Sequence, residues 1–261
     1  MKRGFTLIGL LVVIVIILVL YSLTFESLKG IQTGTAEDGS AVPASKGRLT
    51  DMFQLQQLGQ SLTMIGLSSG ETFPRPSNVT ENIEDDVTSS VYSLLIAHRA
   101  VSPESLISPL DYANAMVYRD YQWGRWDPDE GPQWDEGFSA DLDDLTNVSY
   151  AHLVLYGDRA DHWSSRKLDS SMPIFGNRGP QDGETSDMSL TCDPETGRWT
   201  GYMVFGDGHV SLLQDISEAT RRPRSGGVDG FFMIDDENRH ADAILGFTSD
   251  MDDDGPTLQW D

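Results

Sequence analysis

The sequence predicts an α+β fold, with an N-terminal transmembrane helix followed by a globular head built on an antiparallel β-sheet. Three observations carry this. Residues 5–25 contain no charged side chain, and such a run spans roughly 30 Å as a helix, the thickness of a bilayer's hydrocarbon core. Apolar residues then recur at helical spacing between Leu49 and Leu67 and again between Val87 and Ala100, the mark of helices with one buried face. From Ser149 onward the chain turns to short β-prone runs, two of them joined by Gly206-Asp207-Gly208, a strong hairpin signal.

The N-terminal run is asymmetric. Lys2 and Arg3 precede it, and the next charge is Glu26. Positive charge stays on the cytoplasmic side, so the short N-terminus is expected inside and the remaining chain outside. A cleaved secretory signal reads differently, with an apolar core of about 7–15 residues and a small-residue cleavage site. Here the core is longer, and Tyr21, Ser22 and Leu23 make a poor site. The small residue that meets the apolar run is Gly4, before Phe5. A cut there leaves the whole helix on the mature chain. A plain uncleaved signal anchor is the alternative on composition alone.

Lys2-Arg3-Gly4-Phe5-Thr6-Leu7-Ile8, followed by Leu10-Leu11-Val12-Val13-Ile14, resembles the leader and first turns of type IV prepilins and type II secretion pseudopilins. The resemblance implies a leader over 1–4, cleavage after Gly4 by a prepilin peptidase and methylation of the new N-terminal Phe5. It further implies a transmembrane and assembly helix over 5–26, a pilin-like head in the periplasm, and other pilin or pseudopilin subunits in the inner membrane as partners. One position departs from the family. Gly9 stands where these proteins usually carry a Glu that pairs with the amino group of a neighbouring subunit. A carboxylate in lipid is costly unless paired. Its absence points to a minor or tip subunit, or to one that joins a filament poorly.

Composition bounds the rest. Against 18 Lys and Arg stand 41 Asp and Glu in 261 residues, a net charge of −23. That balance disfavours nucleic acid and anionic membrane surfaces as partners. The single cysteine, Cys192, excludes an intrachain disulfide and a four-thiolate zinc site. The head must hold together by packing, or by metal.

Residues 27–47 carry Gly30, Gly34, Gly39, Pro43 and Gly47 and read as a flexible linker. Pilins usually continue the anchor helix straight into the head, so this is a second departure. The head is expected over 48–249. Its first helix presents Leu49, Met52, Phe53, Leu55, Leu58, Leu62 and Ile65, and ends at Ser68-Ser69-Gly70. The stretch from Leu55 to Pro74 resembles the segment following the anchor in a large bacterial group of prepilin-like proteins, whose C-terminal signature is a His, nine residues, then Asp-Gly. Pro74 to Asp86 reads as a polar loop. The second helix, Val87 to Ala100, places Val87, Val91, Leu94, Leu95 and His98 on one side, with His98 as a cap or surface residue near its C-terminal end. Ser105 to Asp111 resembles that group's Cys-Pro-Ser-Asp segment, Ser108 standing in the place of the cysteine.

Tyr118 to Asp144 interleaves Tyr118, Tyr121, Trp123, Trp126 and Trp134 with nine carboxylates. Three readings are open: a surface loop whose aromatics cover the core, a site for sugars or a basic peptide, or a calcium loop. Strands are expected over 149–156, 172–178, 199–205, 209–213, 231–234 and 243–247. The first resembles the group's Ser-Tyr-Ala-Tyr strand, and the second its Pro-Ile-Leu-x-Asp-Arg segment. Asp207-Gly208-His209-Val210 resembles its closing element. With nine residues between it and Asp207, the place of the signature's His is taken by Gly197, so the signature is degenerate, and Asp207 and His209 read as turn and strand residues rather than a catalytic pair.

The tail, 250–261, is acidic. Asp250, Asp252, Asp254 and Gly255 reproduce the opening of a calcium loop, with Asp261 at the twelfth place. Pseudopilins bind calcium in C-terminal loops, so Ca2+ is the one cofactor suggested. The alternative is a solvated acidic end. No nucleotide loop, Gly-x-Ser-x-Gly elbow, His-Glu-x-x-His pair or Cys-x-x-Cys motif is present, and no enzymatic activity is expected. The function expected is that of a pilin- or pseudopilin-like anchored subunit. The rival is a signal-anchored extracytoplasmic binding protein that uses the Trp-rich loop or the calcium-like tail outside any filament.

Overall fold

The computed structural model describes residues 44–68, 72–111, 115–123, 133–164, 170, 172–180, 199–214, 231–232 and 245–260. Over these the chain is α+β. Three α-helices, α1 (Ala44–Ser68), α2 (Ser77–Thr80) and α3 (Thr88–Ala97), precede six strands: β1 (Tyr150–Leu153), β2 (Pro173–Asn177), β3 (Gly201–Phe205), β4 (Val210–Leu213), β5 (Leu245–Asp252) and β6 (Gly255–Gln259). They form one antiparallel sheet in the order β4-β3-β2-β1-β5-β6. No described helix is long and apolar enough to cross a membrane. The apolar run 5–25, most of the linker, Cys192, Gly197 and Asp261 lie outside the described residues.

Helix α1 begins at Ala44, four residues before the expected head boundary at Arg48. Its sheet-facing side carries Leu55, Leu58 and Leu62, all buried, with Asp51 on the same side one turn earlier. Close approach to the sheet is secured at Gly59, where a Cβ would lie 2.4 Å from Val204 Cγ1 on β3. The opposite side is also apolar: Leu49, Phe53, Met64 and Leu67 are each half or more exposed. Apart from Asp51, no residue from Leu49 to Ser68 is charged.

The expected polar loop at 74–86 is compactly folded. Asp86, fully buried, accepts from Ser77 N–H at 2.9 Å and from Arg75 Nε at 2.7 Å, and Arg75 also reaches the Leu155 carbonyl. Helix α3 ends three residues before the expected Ala100. His98 is its C-cap, as expected. Ala100 N–H then bonds back to Leu95 O and Arg99 N–H to Ile96 O, with Arg99 left-handed at φ +58°, the pattern of a Schellman end.

Register fixes which strand residues share a face. His152 pairs with Phe175 and Phe175 with Val204, while Tyr150 pairs with Asn177. Strand residues alternate faces, so these five lie on one side, where α1 and α3 supply partners. On the other side Ala151, Gly176 and Met203 align, as do Leu153 and Leu245, and all are buried. A sheet covered on both faces accounts for strands that lack polar alternation.

Two expectations are corrected here. Phe231 and Phe232, read as the start of a strand, lie in a turn and fill the core at 1% and 0% exposure. The tail expected from residue 250 is instead the end of β5 and all of β6, paired from Phe247↔Gln259 to Asp252↔Gly255. The physical reason is alternation: Met251 is buried between exposed Asp250 and Asp252, so the carboxylates stay in water while the strand keeps a core contact.

Candidate functional site

Segments singled out separately in the sequence converge on one buried polar cluster. Asp51, from α1, accepts Ser108 Oγ–H at 2.6 Å and Tyr150 O–H at 2.9 Å on Oδ1, and Asn177 Nδ2–H at 2.8 Å on Oδ2. The Tyr150 hydroxyl also lies 2.9 Å from Gln54 Oε1 and shares its one proton between the two acceptors. Gln54 in turn donates to Ile107 O at 3.1 Å. Asn177 Oδ1 accepts Tyr202 N–H at 2.7 Å. Beside this group Asp111 Oδ2 accepts Ser149 Oγ–H at 2.8 Å and an Arg178 N–H at 3.1 Å.

Ser108 and Asp111 come from the Cys-Pro-Ser-Asp-like segment, Ser149 and Tyr150 from the Ser-Tyr-Ala-Tyr-like strand, and Asn177 and Arg178 from the Asp-Arg-like segment. All six, with Asp51, are 7% exposed or less. Burial pushes the Asp51 carboxyl up, hydrogen bonds from Ser108, Asn177 and Tyr150 oppose it, and the Asp111 charge adds a little upward; the net direction is up. Burial, then the Asp51 charge, raises Tyr150 well above the ordinary phenol range, which keeps it a donor. The cluster has no exposed member on which a substrate could land. Its chemistry is that of a fastener joining α1, the segment 106–111, β1 and β2.

A second buried group flanks it. His152, on β1, is fully buried, with Nδ1 2.7 Å from Leu153 O and Nε2 3.1 Å from Thr88 Oγ1. A carbonyl only accepts, so Nδ1 carries the proton and Nε2 accepts from Thr88, whose oxygen accepts Thr248 N–H at 2.7 Å. Burial lowers His152 to about 4, so the ring is neutral.

The other expected site residues are placed as follows. Asp207 and Gly208 form the β3–β4 turn, Gly208 at φ +84°, a conformation glycine adopts freely. Asp207 Oδ1 accepts His209 N–H at 3.1 Å and lies 2.5 Å from His209 Nδ1, while the His209 ring stacks on Phe205 at 4.5 Å. Desolvation would raise the Asp207 carboxyl, but the His209 hydrogen bonds outweigh it and the net direction is down. Each interaction is local to the hairpin. Asp250 and Asp252 lie on β5 and Asp254 in the turn, where Asp252 Oδ1 accepts the N–H groups of Asp254 and Gly255 at 2.8 and 3.0 Å. That is a hairpin and not a helix-flanked loop. Among the described residues no group of three His, Cys, Asp or Glu is placed to hold a metal ion. Gly4, Phe5, Gly9 and Asp261 lie outside the described residues.

In the aromatic acidic segment, Tyr121 and Trp134 are buried, as the core-covering reading expects, whereas Trp123 is 46% exposed. Asp135 organises the loop, accepting Gln122 N–H at 2.7 Å, Gly137 N–H at 2.9 Å and Tyr118 O–H at 3.3 Å. Trp126 lies outside the described residues. Asp51 and His152 were missed as site residues in the sequence. A signal existed for Asp51: it is the lone charge in an uncharged helix and falls on the Leu55-Leu58-Leu62 side.

Comparison with known proteins gives one match. Residues 1–22 match the family described as the prokaryotic N-terminal methylation motif. No curated protein and no solved structure matches the chain. The leader residues and most of the apolar run after them thus match a recognised processing signal, which supports a type IV prepilin-like reading of the N-terminus.

Proposed function

We propose that the chain is a membrane-anchored pilin- or pseudopilin-like subunit, cut between Gly4 and Phe5 by a prepilin peptidase and methylated on Phe5. The observation that carries the reading is the methylation motif over residues 1–22. Its role is mechanical: the apolar helix over 5–26 sits in the inner membrane and joins other pilin-type subunits, and the α+β head is displayed in the periplasm. Gly9, in place of the pairing glutamate, favours a minor or tip position over a repeating one. The buried Asp51 cluster supports a structural head, since both Asp51 oxygens are engaged by side chains of the fold itself. Co-expression with a prepilin peptidase tests the proposal. The expected result is the loss of Met1 to Gly4 offset by the one methyl group gained on Phe5, both abolished in Gly4→Glu. An unshifted chain, or a shift that persists in the variant, contradicts it.

A further inference from the structure

Helix α3 ends with a cost that packing does not explain. Its left-handed position, where glycine is usual, is occupied by Arg99 at φ +58°, and strained residues of this kind persist where the side chain is needed. The Arg99 side chain lines an open groove of about 450 Å³ together with Gln57, Ala100, Val101, Ser102 and Trp123. Trp123 is the half-exposed ring of the aromatic segment. It stands edge-on to Tyr121 at 4.9 Å, and the Tyr121 hydroxyl is held by Ser93 O at 2.6 Å, so the platform is positioned from below.

Charge narrows the occupant. In a chain with 41 acidic residues, the described residues of this lining include one arginine and no carboxylate. A basic peptide finds no counter-charge among them. An anion finds a planar guanidinium whose donor fork matches a carboxylate. A broad indole face suits the C–H side of a flat ring, while Gln57 and Ser102 offer the donors and acceptors that hydroxyl groups require.

We propose that this groove binds a uronate-bearing saccharide. Trp123 stacks on the pyranose ring, Arg99 pairs with its carboxylate, and Gln57 and Ser102 hydrogen-bond its hydroxyls. The site is separate from the prepilin-like N-terminus, and its test leaves N-terminal processing untouched. Calorimetric titration of the full chain in detergent, with tetragalacturonate and with neutral cellotetraose, reads it. The expected result is binding of the uronate with about tenfold or greater preference over the neutral sugar. Trp123→Ala weakens uronate binding by a similar factor. Arg99→Gly removes the preference while its melting temperature rises, because glycine relieves the left-handed strain, and that rise shows the variant is folded. Absent uronate binding, equal binding of both sugars, or affinity unchanged in either variant overturns the proposal.

Discussion

Asp51 shows how a single charge is kept inside a packed head. A buried carboxylate is tolerable when donors replace water, and three side chains do so here. The position of Asn177 is therefore exacting, because its amide donates where an aspartate repels. Asn177→Asp sets a second carboxylate against Asp51 and is expected to destabilise the fold by about 3 kcal/mol at pH 7. The pair can relieve this only by holding a proton, which raises a folded-state pKa, so the deficit should shrink as pH falls. Urea unfolding at pH 7 and pH 4.5 checks this; equal deficits at both refute the shared-proton account. His152 acts in the opposite sense. Its folded value of about 4 lies below the ordinary imidazole value of 6.5, so its contribution is complete above pH 6.5 and is lost as pH falls toward 4. The loss is about 3 kcal/mol, partly offset by Asp51, whose raised carboxyl favours the folded state on acidification. His152→Gln should flatten unfolding free energy against pH between 6.5 and 4. A profile unchanged from the parent chain rules the assignment out.

At the scale of elements, α1 is apolar on two sides, and what aligns it is the contact of Gly59 with Val204. Alanine raises helix propensity by about 1 kcal/mol over glycine, but a Cβ 2.4 Å from a stiff valine methyl costs about 1–3 kcal/mol by overpacking, so the clash wins. Gly59→Ala should lower stability, and Val204→Ala added to it should return at least half of the loss. A double mutant no better than the sum of the singles means that the two surfaces do not meet. Helices and central strands were legible because period and β-branching are local properties: the apolar stripe from Leu49, the run after Val87, and the strands around 150, 174, 203 and 211 all appear near their expected places. Three things were not legible. Acidic residues of the last hairpin hid the outer half of β5, where Met251 is buried between exposed Asp250 and Asp252. Phe231-Phe232 has strand composition but is used as a plug in a turn. The Asp51 cluster depends on partners 57 to 126 residues away, a pairing no local pattern carries.

For the molecule as a whole, two kinds of sequence do two kinds of work. The N-terminal run carries the address, a methylation motif over residues 1–22. The head carries a six-stranded antiparallel sheet fastened to α1 by buried polar groups. The net charge of −23 turns the chain away from anionic surfaces, which leaves the uncharged outer side of α1 and the groove marked by the Arg99 cation as its least repulsive approaches. The most direct test lies at the other end of the chain. Intact-mass and N-terminal sequencing of the protein isolated from its native membrane should find a first residue of N-methylated Phe5. A native chain that still begins at Met1 contradicts the account.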